Sequence, residues 1–114
     1  MRFIIHGGTL SRSLQSISSV VPSGRTMPIL LNFLMELKGE DLTVTASDLE
    51  TTITVKLNPG MVEQGSINRI AIPAKMFLEV VNSLSTQQIT IEVQEDFSVE
   101  ITADSLSTQR MSFR

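Results

Sequence analysis

Met27-Pro28-Ile29-Leu30-Leu31-Asn32-Phe33-Leu34-Met35-Glu36-Leu37 is followed by Lys38-Gly39-Glu40-Asp41, then Leu42-Thr43-Val44-Thr45-Ala46-Ser47, Asp48-Leu49-Glu50, and Thr51-Thr52-Ile53-Thr54-Val55-Lys56-Leu57. Ile29, Leu31, Phe33, Met35 and Leu37 share one parity, so an extended chain puts all five on one face and turns Asn32, Glu36 and Lys38 to the other. Leu42, Val44 and Ala46 alternate with Thr43, Thr45 and Ser47, and Ile53, Val55 and Leu57 with Thr52, Thr54 and Lys56. Three half-buried strands joined by tight turns predict an antiparallel meander.

On the N-terminal side, Arg2 to His6 reads as a strand with Phe3 and Ile5 on one face, ended by a turn at Gly7-Gly8. Thr9 is placed to cap a helix in which Leu10, Leu14, Ile17 and Val21 recur at helical spacing. Arg12, Ser16 and Ser19 occupy its opposite, acid-free side, and Pro22-Ser23-Gly24 ends it, leaving Arg25-Thr26 on a loop.

On the C-terminal side, Asn58-Pro59-Gly60 is a turn, followed by an unpatterned run through Gln64-Gly65. The order of elements then restarts. Ile67 to Ile72 reads as a strand, with Pro73 opening a helix from Ala74 to Leu84 whose apolar side is Phe77, Val80, Val81 and Leu84 and whose polar side is Lys75, Glu79, Asn82 and Ser83. Ile89-Ile91-Val93 and Phe97-Val99-Ile101 alternate with polar residues across a turn at Glu95-Asp96. Asp104-Ser105 turns again before a last strand, Thr108 to Phe113. Both halves therefore read strand, helix, strand, strand, strand. The expected fold class is α+β: two helices packed on antiparallel sheet, with an internal pseudo-twofold β-α-β-β-β repeat in a single domain spanning residues 1–114. Arg114 directly follows an apolar strand residue, and the expectation is a chain that continues beyond it.

The 114 residues contain 41% hydrophobic and 18% charged side chains, ordinary for a globular domain of this length. With no cysteine, disulfides, thiol catalysis and cysteine-ligated metals are excluded. The short apolar run after Met1 does not fit a signal peptide, and a cytoplasmic protein is the expectation. A formal charge of −3 argues against nonspecific coating of nucleic acid, but a protein that slides on DNA needs only a modest, local positive face.

Chemistry is sparse. His6 is the only histidine, so neither a Ser-His-Asp triad nor a histidine metal cluster can be assembled, and His6 reads as a strand-end residue. Asp48 and Glu50 are close enough in sequence to share a metal or act as acid and base, but an Asp after Ser47 is a common turn former. Gly7-Gly8 lacks the further glycines and the Lys-Ser/Thr of a phosphate loop. Met27, Met35, Met61, Met76 and Met111 fall mostly at apolar positions and read as core filling. No catalytic residue, metal ligand or cofactor site is expected. The polar helix faces remain, as a solvated surface or as a binding one.

The chain resembles the bacterial DNA polymerase sliding clamp, the beta subunit of the replicative polymerase. The resemblance extends over all 114 residues, without gaps in the central stretch up to Leu57, and would cover the first of that family's three domains. It is carried by Arg25 with Pro28-Ile29-Leu30 and Asn32, by Leu42 to Glu50, and by Ile72-Pro73-Ala74-Lys75 with Phe77 and Leu84. It implies a noncatalytic processivity domain of a DNA-directed DNA polymerase, one of six in a head-to-tail homodimeric ring that encircles duplex DNA with its helices lining the hole. Arg25 falls where the family has a basic residue at the duplex backbone, and Lys75 where it has one at the start of the second helix. Both are expected to contact phosphates without reading sequence. Arg12 joins them on geometry alone. The rest of that face, Ser13, Ser16, Ser19 and Asn82, is small and polar and fits weak contact. Met76, Val80, Arg110, Met111 and Phe113 fall where the family's first domain meets the partner subunit's third, with Met76, Met111 and Phe113 forming an apolar patch. Polymerase and clamp loader would bind later domains, outside this chain. The reading in a different class is a small-ligand or protein-binding α+β domain with no nucleic-acid role, marked by an apolar pocket of several hundred Å³.

Overall fold

The computed structural model describes residues 1–21, 31–48 and 50–103, together with the backbone of 108–112. The elements run β1 (Arg2–His6), α1 (Gly7–Ser18), β2 (Asn32–Lys38), β3 (Asp41–Ser47), β4 (Thr52–Leu57), β5 (Met61–Glu63), β6 (Arg69–Pro73), α2 (Ala74–Ser83), β7 (Gln88–Val93), β8 (Ser98–Ala103) and β9 (Thr108–Ser112). The strand-helix-strand-strand-strand order appears twice, with β5 inserted between the repeats.

The described strands form two antiparallel sheets, and each is assembled from both halves. One has the order β5-β1-β7-β8-β9 and the other β4-β3-β2-β6. The leading strand of each repeat thus leaves its own meander and pairs with the other's: Phe3 lies opposite Ile91, and Ile72 opposite Phe33. This exchange is what makes the repeats one domain, because neither half completes a sheet without its counterpart.

Alternation in sequence becomes burial. Phe33, Met35 and Leu37 on β2, Leu42, Val44 and Ala46 on β3, Ile89, Ile91 and Val93 on β7, and Val99 and Ile101 on β8 are all buried. From α1 the core receives Leu10, Leu14 and Ile17, and from α2 Ala74, Phe77 and Val81. Fully burying one such large apolar side chain is worth about 1.5–3 kcal/mol, so this single core is the main source of stability in a chain without disulfides.

Several local expectations are corrected. α1 begins at Gly7 and not after Thr9: the His6 side chain is the cap, its Nδ1 accepting the Gly8 N–H at 3.1 Å. His6 therefore has a structural role in satisfying a first-turn amide. Gly7 and Gly8 make no free-standing turn but sit where α1 starts against the end of α2. Val21 lies beyond α1 and is partly buried. Residues 61–63, unpatterned in sequence, pair with β1 as an edge strand. Phe97 does not join the buried face of β8. It occupies the turn at φ 63°, 46% exposed, while Ser98 is buried and its hydroxyl donates to Asp96 Oδ1 at 2.6 Å. Met61 and Met76 are exposed, so among the described residues Met35 is the only one of the methionines read as core filling that is buried, and Met27 and the Met111 side chain lie outside them. Asp48 is a turn former: its Oδ1 accepts the backbone N–H groups of Glu50 at 2.7 Å and Thr51 at 2.5 Å.

Candidate nucleic-acid interface

The two helices pack against each other in antiparallel directions. The N-terminus of α1 abuts the C-terminus of α2, where the Gly7 N–H donates to the Gln87 carbonyl at 2.7 Å. A Cβ on Gly7 would run into the Leu84 carbonyl oxygen, and one on Gly8 would lie 2.8 Å from that of Ser85, so only glycine permits this approach. At the other end a cleft of about 750 Å³ is lined by Val21, Leu31, Phe33, Met76 and Leu78 together with Lys75 and Glu79.

With the apolar stripes of both helices turned inward, their outward stripes form a shared polar surface. On α1 it carries Arg12, Gln15, Ser16 and, just past the helix, Ser19. On α2 it carries Lys75, Glu79 and Asn82, spaced four and three apart and hence on one side. Arg12 and Lys75 are both exposed. α1 contains no carboxylate, and Glu79 is the one acidic residue on α2, so the helices carry a net charge of +1 in a chain of formal charge −3.

The pairing of the cations sharpens this segregation. Each described strand cation has a carboxylate nearby: Lys56 with Asp41 at 3.1 Å, Arg2 with Glu63 at 3.7 Å, and Lys38 and Arg69 each with Glu36 at 4.0 Å. Arg12 and Lys75 have no ion-pair partner among the described residues. Exposed pairs contribute little stability, but they offset local field; Glu36 is shared by Lys38 and Arg69, so the strand cations are largely but not fully offset, whereas Arg12 and Lys75 lie beside no carboxylate within 4.0 Å among the described residues. Such a surface is suited to holding a polyanion loosely.

The other expected residues distribute differently. Arg25 and Phe113 lie outside the described residues. Arg110 and Met111 lie in β9, opposite Glu100 and Val99 in register. Met76 is 50% exposed and Val80 half-buried, on the flank of α2. Sequence reasoning passed over Gln15 and Ser11, which the structure joins to Asn82 through hydrogen bonds across the helix pair. Their recurrence four apart on α1 was the available signal. Among the described residues no cluster of three or more His, Cys, Asp or Glu is placed to hold a metal ion, and no helix is long and apolar enough to cross a membrane.

Paired helices on two antiparallel sheets that exchange their leading strands define a domain of the DNA-clamp class. The chain belongs to the family described as DNA polymerase III beta subunit, N-terminal domain, whose sequence model matches residues 1–112. Among its relatives, a beta sliding clamp from Vibrio harveyi is 32% identical over 102 residues, covering 89% of this chain and 68% of that protein. A beta sliding clamp from Chlamydia pneumoniae is 29% identical over 105 residues, covering 92% of this chain and 28% of that one. The crystal structure of the DNA polymerase III subunit beta from Pseudomonas aeruginosa superposes with a TM-score of 0.84 at 28% identity, covering 98% of this chain and 30% of that chain. The chain thus spans less than a third of the Chlamydia relative and of the Pseudomonas structure.

Proposed function

We propose that this chain is the first of three domains of a cytoplasmic sliding clamp, one sixth of a ring formed by a head-to-tail dimer, whose helix face lines the hole around duplex DNA. The ring tethers the replicative polymerase. It is noncatalytic, and polymerase and clamp loader bind its later domains. The observation that carries the reading is the charge arrangement within the family's fold: among the described residues each strand cation lies within 4.0 Å of a carboxylate, Lys38 and Arg69 sharing Glu36, and Arg12 and Lys75 on the helices do not. Arg12, Lys75 and Arg25 supply phosphate contacts that position the duplex without reading its sequence. Glu79 and the small hydroxyl side chains keep that contact weak, which suits a ring that must travel. Processivity then comes from linkage, because a closed ring need not bind tightly to stay on DNA.

Met76, Val80, Arg110, Met111 and Phe113 form this domain's side of the subunit interface in the same reading. The exposed Met76 and the position of β9 at one edge of its sheet support this assignment.

The largely apolar cleft at the end of α1 and the start of α2 favours the second reading, a ligand-binding domain. One titration separates the two. In the full-length protein, Lys75→Ala and Arg25→Ala each lower affinity for duplex DNA modestly and make its salt dependence shallower by about one unit of slope, with sequence preference unchanged. Wild-type affinity and slope in both variants would contradict the contact assignment.

A further inference from the structure

Asn82 and Gln15 belong to a polar contact that ties the helices together on their outward side. The Ser11 hydroxyl donates to Asn82 Oδ1, Gln15 Nε2 donates to the same oxygen at 3.0 Å, and Gln15 Nε2 also reaches Ser11 Oγ at 3.2 Å. Ser11 is 4% exposed, whereas Asn82 and Gln15 face solvent. Two donors therefore hold the carbonyl end of the Asn82 amide from the α1 side. An amide has its two N–H donors opposite that oxygen, and Asn82 Nδ2 has no acceptor among the described residues. The group is held at one end and open to solvent at the other, on the stripe it shares with Lys75.

We infer that Asn82 is a neutral donor for a backbone phosphate oxygen of duplex DNA, oriented by Ser11 and Gln15. This rests on the helix face being the DNA-facing side of a clamp. A neutral donor holds a phosphate without displacing a counterion, so it adds contact while leaving the salt dependence unchanged. A side chain already held loses less rotamer freedom on making that bond than a free one. Ser11 is a positioning residue: too buried to reach DNA, it acts through the amide it orients.

The test is binding of a short fluorescent duplex by the full-length protein across a salt series, with Lys75→Ala as reference. Asn82→Ala is expected to weaken binding about three- to tenfold, the range of one net hydrogen bond, at unchanged salt slope. Asn82→Asp keeps the oxygen that accepts from Ser11 and Gln15, so its thermal unfolding should match wild type while its DNA affinity falls below that of Asn82→Ala. Ser11→Ala should weaken binding in the same direction with the Asn82 donor still present.

Wild-type affinity in Asn82→Ala, alongside a shallower slope in Lys75→Ala, overturns the Asn82 assignment and leaves the clamp reading standing. A shallower slope in Asn82→Ala overturns the neutral-donor role. Wild-type affinity in Ser11→Ala overturns the positioning role. If Lys75→Ala and Asn82→Ala are both unchanged in affinity and slope, the DNA-facing reading of these helices fails, and this inference with it.

Discussion

The two halves of this domain share a topology and solve the same local problems with different residues. Each helix begins directly after a strand, at Gly7 in the first half and Ala74 in the second. Gly7 meets the end of α2 backbone to backbone. Ala74 is buried as well, but its methyl group is accommodated beside the opening between α1 and α2. The first hairpin of each meander also needs a residue in the left-handed region. β2–β3 uses Gly39 at φ 60°, and β7–β8 uses Phe97 at φ 63°. Repeated topology thus does not require repeated sequence. It requires that each half meet the same constraint, and the two do so at unequal cost.

Exchanging the helix-start residues breaks the comparison most severely. Gly7→Ala drives a methyl group into a backbone carbonyl, which no rotamer change relieves, and should lose about 3 kcal/mol of stability in thermal or urea unfolding. Ala74→Gly at the equivalent position should lose about 0.5–1 kcal/mol. Equal losses would mean that the two ends of the helix pair are packed alike.

The hairpins give the next largest effect, and with opposite signs. Phe97→Gly should raise stability by about 1 kcal/mol, since the exposed ring loses little burial and the left-handed backbone ceases to be strained. Gly39→Ala should lower it by about the same amount, through backbone conformation alone because nothing lies within 4 Å of the added Cβ. A loss in Phe97→Gly would show that the Phe97 ring contributes more by packing than its exposure suggests.

The smallest effect is confined to acid. The backbone N–H of Glu50, and then that of Thr51, hold the Asp48 carboxyl below its ordinary value of 3.8. The group is exposed, so the effect on stability is small. A carboxylate with a depressed pKa in the folded state stabilises above its unfolded value, and that contribution is lost as pH falls through the folded one. Wild type should therefore lose stability below about pH 4 more steeply than Asp48→Asn, with the two curves converging in acid. Parallel curves down to pH 2 would remove Asp48 as a source of acid sensitivity.

What was legible in the sequence was whatever repeats over a short distance. Phe33, Met35 and Leu37 announce a strand, and Leu10, Leu14 and Ile17 a helix, because burial on one face imposes the period. The partition into two sheets was not legible. Pairing β1 with β7 and β6 with β2 joins residues far apart in the chain, and no local pattern encodes that. The three residues of β5 are too few to show a period, and their place comes from the edge of β1. His6 as a cap and Ser98 as a buried residue escaped because polar side chains satisfied by neighbouring groups look the same in sequence as exposed ones. Arg12 and Lys75 stood out early as exposed helical cations. That neither has an ion-pair partner among the described residues became visible only once the strand cations were seen beside carboxylates.

The most direct test of the central claim is topological. The full-length protein is loaded by its clamp loader onto nicked circular DNA, and the circle is then cut once. Retention on the circle and release from the linear product are the predicted result, since a ring held by linkage slides off an open end. Equal retention before and after cutting would show that direct contact holds the protein on DNA, and would contradict the account.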